Sequence, residues 1–290
     1  MNRKKFIKKS LIAGLTAGFA SAFANKSEKP IKKQLITQVG FNHLPNQKGE
    51  KTMNTILHKA NTRGTADHGW LKANHSFSFA NYHNPDRMHF GVLRVLNDDL
   101  IAPSRGFGTH PHDNMEIISI PLEGGLKHED SMGNGAIIKS GDIQVMSAGT
   151  GIRHSEYNAY NDQTVNLLQI WLFPNKRNVE PRYDQITIKD IQRKNEFYQV
   201  LSPSADDDGV WIHQNAWFHL GEFDVSTDTN YKIKNPDNGV YAFMIEGNAN
   251  IAGQPLNRRD GFGIWDVENL AIQAEKGSRI LLMDVPMQLN

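Results

Sequence analysis

The chain has 290 residues, with 32 basic and 31 acidic side chains, twelve histidines and no cysteine. The missing thiols exclude disulfides, zinc–thiolate and iron–sulfur sites and a cysteine nucleophile. From Met53 onward acidic residues outnumber basic ones by eight, which argues against a nucleic-acid partner, because phosphate neutralisation needs clustered Lys and Arg.

Residues 1–24 read as an export signal. Arg3, Lys4, Lys5, Lys8 and Lys9 form a charged start, Leu11 to Phe19 a short apolar stretch, and Ala22-Phe23-Ala24 a small-x-small cleavage site. The apolar stretch is short for a bilayer span, so no stable membrane insertion is expected after its removal. Asn2-Arg3-Lys4-Lys5-Phe6-Ile7-Lys8 resembles the twin-arginine export motif, with Lys4 in place of the second arginine. The mature chain is expected in the periplasm. Residues 25–52, rich in Lys, Asn, Gln and Pro without periodicity, read as a flexible tether.

Beyond Met53 come short runs of Val, Ile, Leu, Phe and Trp broken by Gly, Asn, Asp and Pro. His89–Leu96, Met115–Leu122, Ala136–Lys139, Ile143–Met146 and Val165–Phe173 are expected strands. Such spacing indicates an all-β sandwich or barrel. A short helix is expected around Lys189–Asn195. In the second half, Tyr241–Ile245, Asn248–Ile251, Gly263–Trp265 and Arg279–Val285 repeat the texture. Glu246-Gly247 echoes Glu123-Gly124, and Asp260-Gly261 echoes Gly141-Asp142. We read a duplication with a period of about 120 residues, one barrel over 53–175 and another over 176–290, with Pro174 to Arg182 as the linker.

Two pairs of ligating side chains stand at i, i+2: His110 with His112, and His154 with Glu156. On a strand such residues point the same way. If both segments belong to one small barrel, three imidazoles and a carboxylate converge, a set that suits iron, manganese, nickel or copper. His128, Glu129, Asp130 and Met132 read as a glycine-bounded loop, at a barrel mouth or simply solvated. His75, Phe77, Phe79 and Tyr82 read as apolar lining. His213 and His219 lack an HxH partner and read as core or surface, so the second barrel is expected to hold no metal.

His110-x-His112 with Glu116, and Gly151-x-x-His154 with Asn158, resemble the two cupin motifs. The strings GFGTHPHDNMEI and SAGTGIRHSEYN resemble more narrowly the pirin family and its bacterial bicupin branch, the quercetin 2,3-dioxygenase-like proteins. HGWLKANHSFSFANY, HEDSMGNG and WLFPNKRNVEPRY extend the resemblance over residues 54 to about 288. It implies two jelly-roll-type barrels in one chain with few short helices. It also implies one metal held by His110, His112, His154 and Glu156, with Fe(II) ahead of Ni, Co, Mn or Cu. Cupins in general would use Glu116, which shares inward parity with Glu156. The short spacing to His154 and the pirin pattern favour Glu156, leaving Glu116 and Asn158 to support the ligands from behind. The implied activity is opening of a flavonol such as quercetin by O2 with release of CO, Glu156 also serving as the base. Its partners would be a small aromatic substrate and O2, acting on a monomer. The rivals are a metal- or redox-sensing regulatory protein, and an oxygenase for another small enol or phenol.

Overall fold

The computed structural model describes residues 52–289. The export signal and nearly all of the tether lie outside them. Among the described residues there is no α-helix; two single 3-10 turns, Ala60–Thr62 and Ile188–Asp190, punctuate a strand-built chain. The helix expected at Lys189–Asn195 is therefore one turn. It buries a single side chain, Ile188, and so has no apolar stripe on which to continue.

The strands form two seven-stranded and two four-stranded sheets, one of each per barrel. The first seven-stranded sheet runs, in spatial order, Arg182–Thr187, Asp142–Ser147, Glu116–Glu123, Val165–Leu172, Leu93–Ile101, Leu71–His75 and Gly64–Asp67. Facing it is the four-stranded sheet Gly106–His112, Ile152–Asn158, Gly125–Asp130 and Gly135–Lys139. The second seven-stranded sheet runs Asn54–His58, Gly261–Trp265, Asn238–Glu246, Ser278–Pro286, Trp217–Phe223, Phe197–Ser202 and Val210–Trp211. Its companion holds Thr227–Lys232, Asn269–Ala274, Ala249–Ile251 and Gln254–Leu256.

Two strands cross the boundary expected at 175/176. Asn54–His58, the first strand among the described residues, pairs with Gly261–Trp265 of the second barrel. Arg182–Thr187, beyond the expected linker, pairs with Asp142–Ser147 of the first. Each half thus covers a sheet edge of the other, which would otherwise expose unpaired backbone groups. Local composition marks where a strand ends but not which sheet it joins. The strand expected at His89–Leu96 begins instead at Leu93 and runs to Ile101. Gly91, at φ 51°, lies against the Pro286 carbonyl where any side chain would collide, and the chain bends there.

The largest apolar cluster lies between the barrels. Ile118, Ile120, Leu122, Ile143, Val145, Leu168, Ile170 and Leu172 from the first seven-stranded sheet meet Val200, Phe218, Leu220, Tyr241, Phe243, Leu281 and Met283 from the second. Each such side chain contributes about 2 kcal/mol on burial. Because strand residues alternate, the residues between these turn inward. Ile117, Met146 and Ile152 form a separate cluster inside the first barrel, with Trp171 against it. Asp98 ties the barrels at the rim of this interface, accepting from Arg63 at 3.2 Å and Asn166 at 3.0 Å and facing Arg259 at 3.4 Å.

Candidate metal centre

Three neighbouring strands of the first four-stranded sheet carry the site. His154 stands opposite His110 on one side and Asp130 on the other; Glu156 stands opposite Phe107 and His128. Strands lie about 4.8 Å apart, so inward side chains in one row meet. Between His154 and Glu156 the pairing with Gly106–His112 slips by one residue. This bulge sets Glu156 against Phe107, with His128 on its other flank.

Two donor groups result among the described residues, both in the first barrel. Donor atoms of His110, His112 and His154 lie within 4.8 Å of one another, and so do those of His128, His154 and Glu156. His154 belongs to both. Its ring centroid is 4.4 Å from that of His110, 4.9 Å from His112 and 5.3 Å from His128. The structure thus brings His110, His112 and His154 together and places Glu156 beside His154, in the second group and not in the first.

The electrostatics favour neutral, electron-donating imidazoles. Burial, with His110, His112 and His128 adding to it, pushes His154 down to about 2. Burial and then His110 push His112 down to about 4, and burial lowers His110. His110 Nδ1 lies 2.8 Å from the Gly108 carbonyl; donating there, it keeps Nε2 as the free lone pair. Both ring nitrogens of His154 are buried without a hydrogen-bond partner among the described residues. Buried polar atoms are normally paired, and orphaned imidazole nitrogens ringed by other acceptors fit a cation. The donors, imidazole nitrogen and carboxylate oxygen, suit a divalent transition metal.

Glu156 is 2% exposed, and its Oε2 accepts from Gln169 Nε2 at 2.9 Å. Burial raises its carboxyl to about 7, while Gln169 and Ser119 pull the other way. Glu116 points elsewhere. It shares its face with Ile118 and Ile120, toward the second barrel, accepts from Ser147 Oγ at 2.6 Å, and lies near Arg182 and the His213 N–H. Parity counted from His112 fails because the chain turns between the strands, with Asn114 at φ 45°. Asn158 is a turn clamp: it donates to the Ile101 and Gln163 carbonyls and accepts from the Tyr160 N–H. Neither residue joins a donor group.

His128 is the residue that the loop reading missed. It lies on the strand Gly125–Asp130, fully buried, with Nε2 3.1 Å from Asp130 Oδ2. His128-x-Asp130 repeats the i, i+2 spacing of the other two pairs, and that was the available signal. In the second barrel His219 faces inward and is held by Tyr231, whose hydroxyl donates to Asp284 at 3.0 Å.

Comparison with known proteins identifies the family. Residues 56–172 match the Pirin family and residues 199–285 the quercetinase C-terminal cupin domain. A quercetin 2,3-dioxygenase of Escherichia coli K12 is 43% identical over 230 residues, 79% of this chain and 98% of that one. A pirin-like protein of Caulobacter vibrioides is 40% identical, covering 76% of this chain and 95% of its own. A bacterial pirin from Escherichia coli, solved in complex with nickel(II), superposes with a TM-score of 0.76 at 41% identity, covering 80% of this chain and 99% of that one. With two cupin barrels and this donor set, the chain belongs to the pirin family.

Proposed function

We propose that the protein is a metal-dependent dioxygenase that opens a flavonol such as quercetin with O2 and releases CO. The observation that carries this is His154, buried with both nitrogens unpartnered among the described residues and shared by two donor groups. His110, His112, His154 and Glu156 would hold the metal, with Fe(II) as our first choice ahead of Ni, Co, Mn or Cu. When bound, such an ion supplies Lewis acidity and free positions beside it for substrate and oxygen.

The chain's own residues do the rest. Glu156 accepts the proton of the substrate's 3-hydroxyl: its carboxylate is buried beside the donor imidazoles, and a positioned carboxylate serves as a general base. Gln169 occupies Glu156 Oε2 and so fixes the carboxylate's orientation. Ile117, Met146, Ile152 and Trp171 keep water from the reacting groups.

The test is to purify the mature protein, measure bound metals, and assay flavonols for CO release under air. Metal with CO release supports the reading; metal with no release from any flavonol moves it to another enol or phenol. Glu156→Ala retaining full turnover and full metal content would end the assignment of Glu156. We further place the mature chain in the periplasm on the strength of residues 1–24. Recovery solely from the cytoplasm would revive the regulatory reading instead.

A further inference from the structure

The inner face of the first seven-stranded sheet carries a polar row that meets the donor residues at Gln169 and Ser119, both beside the Glu156 carboxyl. His75, Asn97, Gln169, Ser119, Gln144 and Gln185 stand directly opposite one another across six neighbouring strands. Their chain neighbours Leu168, Ile170, Ile118, Ile120, Ile143 and Val145 face the other barrel, so alternation turns the row toward the donor sheet. Asn97, Ser119 and Gln144 are each at most 1% exposed.

The ends of the row are satisfied internally. His75 Nδ1 lies 2.8 Å from Asn97 Oδ1, and Gln185 accepts from Tyr183 at 2.7 Å while donating to Asp142 at 3.1 Å. Gln169 donates to Glu156. Gln144 Nε2 is buried with no partner among the described residues, and so is Trp171 Nε1, two residues beyond Gln169 on the same face. The Trp171 ring packs against His112 at 4.9 Å. Free donors thus line the wall across from the imidazoles.

The second barrel supplies an internal control. Its corresponding row reads Leu57, Phe262, Ala242, Leu282, His219 and Gln199. Where the first barrel sets Gln144, Ser119 and Gln169, the second sets Phe262, Ala242 and Leu282. The architecture therefore does not need the polar residues, and unpartnered buried donors are not retained for packing.

We propose that this wall is the substrate-recognition surface, built for an oxygen-rich aromatic molecule, a polyhydroxylated phenol or enol. Gln144 Nε2 donates to one ligand oxygen while another oxygen faces His154 and Glu156. Gln144 is thus a specificity-determining residue. The proposal deepens the reading above and rests on it only in placing the reacting molecule inside the first barrel.

The experiment titrates phenol, catechol, pyrogallol, 3-hydroxyflavone and quercetin into the nickel-loaded protein by calorimetry. Wild type is compared with Gln144→Met, which keeps the length without the amide, and Gln144→Leu, which removes the donor at similar volume. Thermal melting and nickel content confirm that at least one variant is folded. Affinity should rise with hydroxyl count, quercetin should bind about tenfold tighter than 3-hydroxyflavone, and the variants should close that gap, about one hydrogen bond's worth. In turnover the loss should fall on KM more than on kcat. Equal affinities in wild type, or a gap the variants leave intact, overturns the proposal while flavonol cleavage stands. Graded binding of catechol and pyrogallol that the variants flatten, with no flavonol turned over, keeps the wall and ends the flavonol reading. Failure of every compound to bind overturns both.

Discussion

His128 and Glu156 are cross-strand partners, directly opposite on neighbouring strands, and both side chains are buried with His154 between the two donor groups. Asp130 faces His128 Nε2 and is itself held by the N–H groups of Met132 and Asn134 and by the Asn134 amide. If His128 Nε2 carries the proton to Asp130, its Nδ1, buried and unpartnered among the described residues, presents a lone pair. His128→Gln should therefore weaken cation binding about 10- to 100-fold, the usual effect of disturbing groups that support a metal. Asp130→Asn should do so less, since it keeps an acceptor. Competition against a chelator of known nickel affinity measures both, and unchanged affinity in His128→Gln would remove His128 from the site.

Much of this site was legible in one dimension. His110-x-His112 and His154-x-Glu156 could be read because a strand repeats every two residues, and each pair lies on an uninterrupted strand. Glu116 was misread because the same count was carried across a turn, where parity has no meaning. His128 was hidden by the glycines around it, which gave a true strand the texture of a loop. The polar row was out of reach for a different reason. His75, Asn97, Gln169, Ser119, Gln144 and Gln185 share no spacing along the chain, and only strand register brings them into line. The exchanged strands Asn54–His58 and Arg182–Thr187 are likewise a matter of pairing, not of local pattern.

Cation binding should raise thermal stability, because the donors are assembled by the fold and dispersed in the unfolded chain. At one hundred times its dissociation constant, a ligand binding the native state alone adds about 2.7 kcal/mol. Nickel should therefore raise the melting temperature of wild type. It should raise that of His110→Ala/His112→Ala far less, each protein being compared with its own apo form. An equal rise in both proteins would place the ion elsewhere.

Glu116 should give the fold a pH dependence of definite sign. Burial raises its carboxyl to about 7 from an ordinary value of 4.5. Between those values the folded chain holds a proton that the unfolded chain has released. Stability from this residue is then full below about pH 4.5, declines as pH rises, and is lost above 7, a difference of up to about 3 kcal/mol. Glu116→Gln should match wild type at pH 5 and melt several degrees higher at pH 8. A melting difference independent of pH would show that the carboxyl is ionised throughout.

Asp98 should be the costliest single polar residue to remove between the barrels. Its carboxylate serves Arg63 and Arg259, whose side chains are 7% and 6% exposed, and also accepts from Asn166. Asp98→Ala strands two buried guanidinium groups, with Glu246, 3.5 Å from Arg259, as the remaining acid. Removing one partner of a buried ion pair costs about 3–5 kcal/mol, because the survivor stays desolvated. Arg63→Met in the same background should restore part of the loss by removing one stranded charge. Chemical denaturation of the two variants and wild type checks this. Additive losses in the double variant would mean that Asp98 and Arg63 act independently.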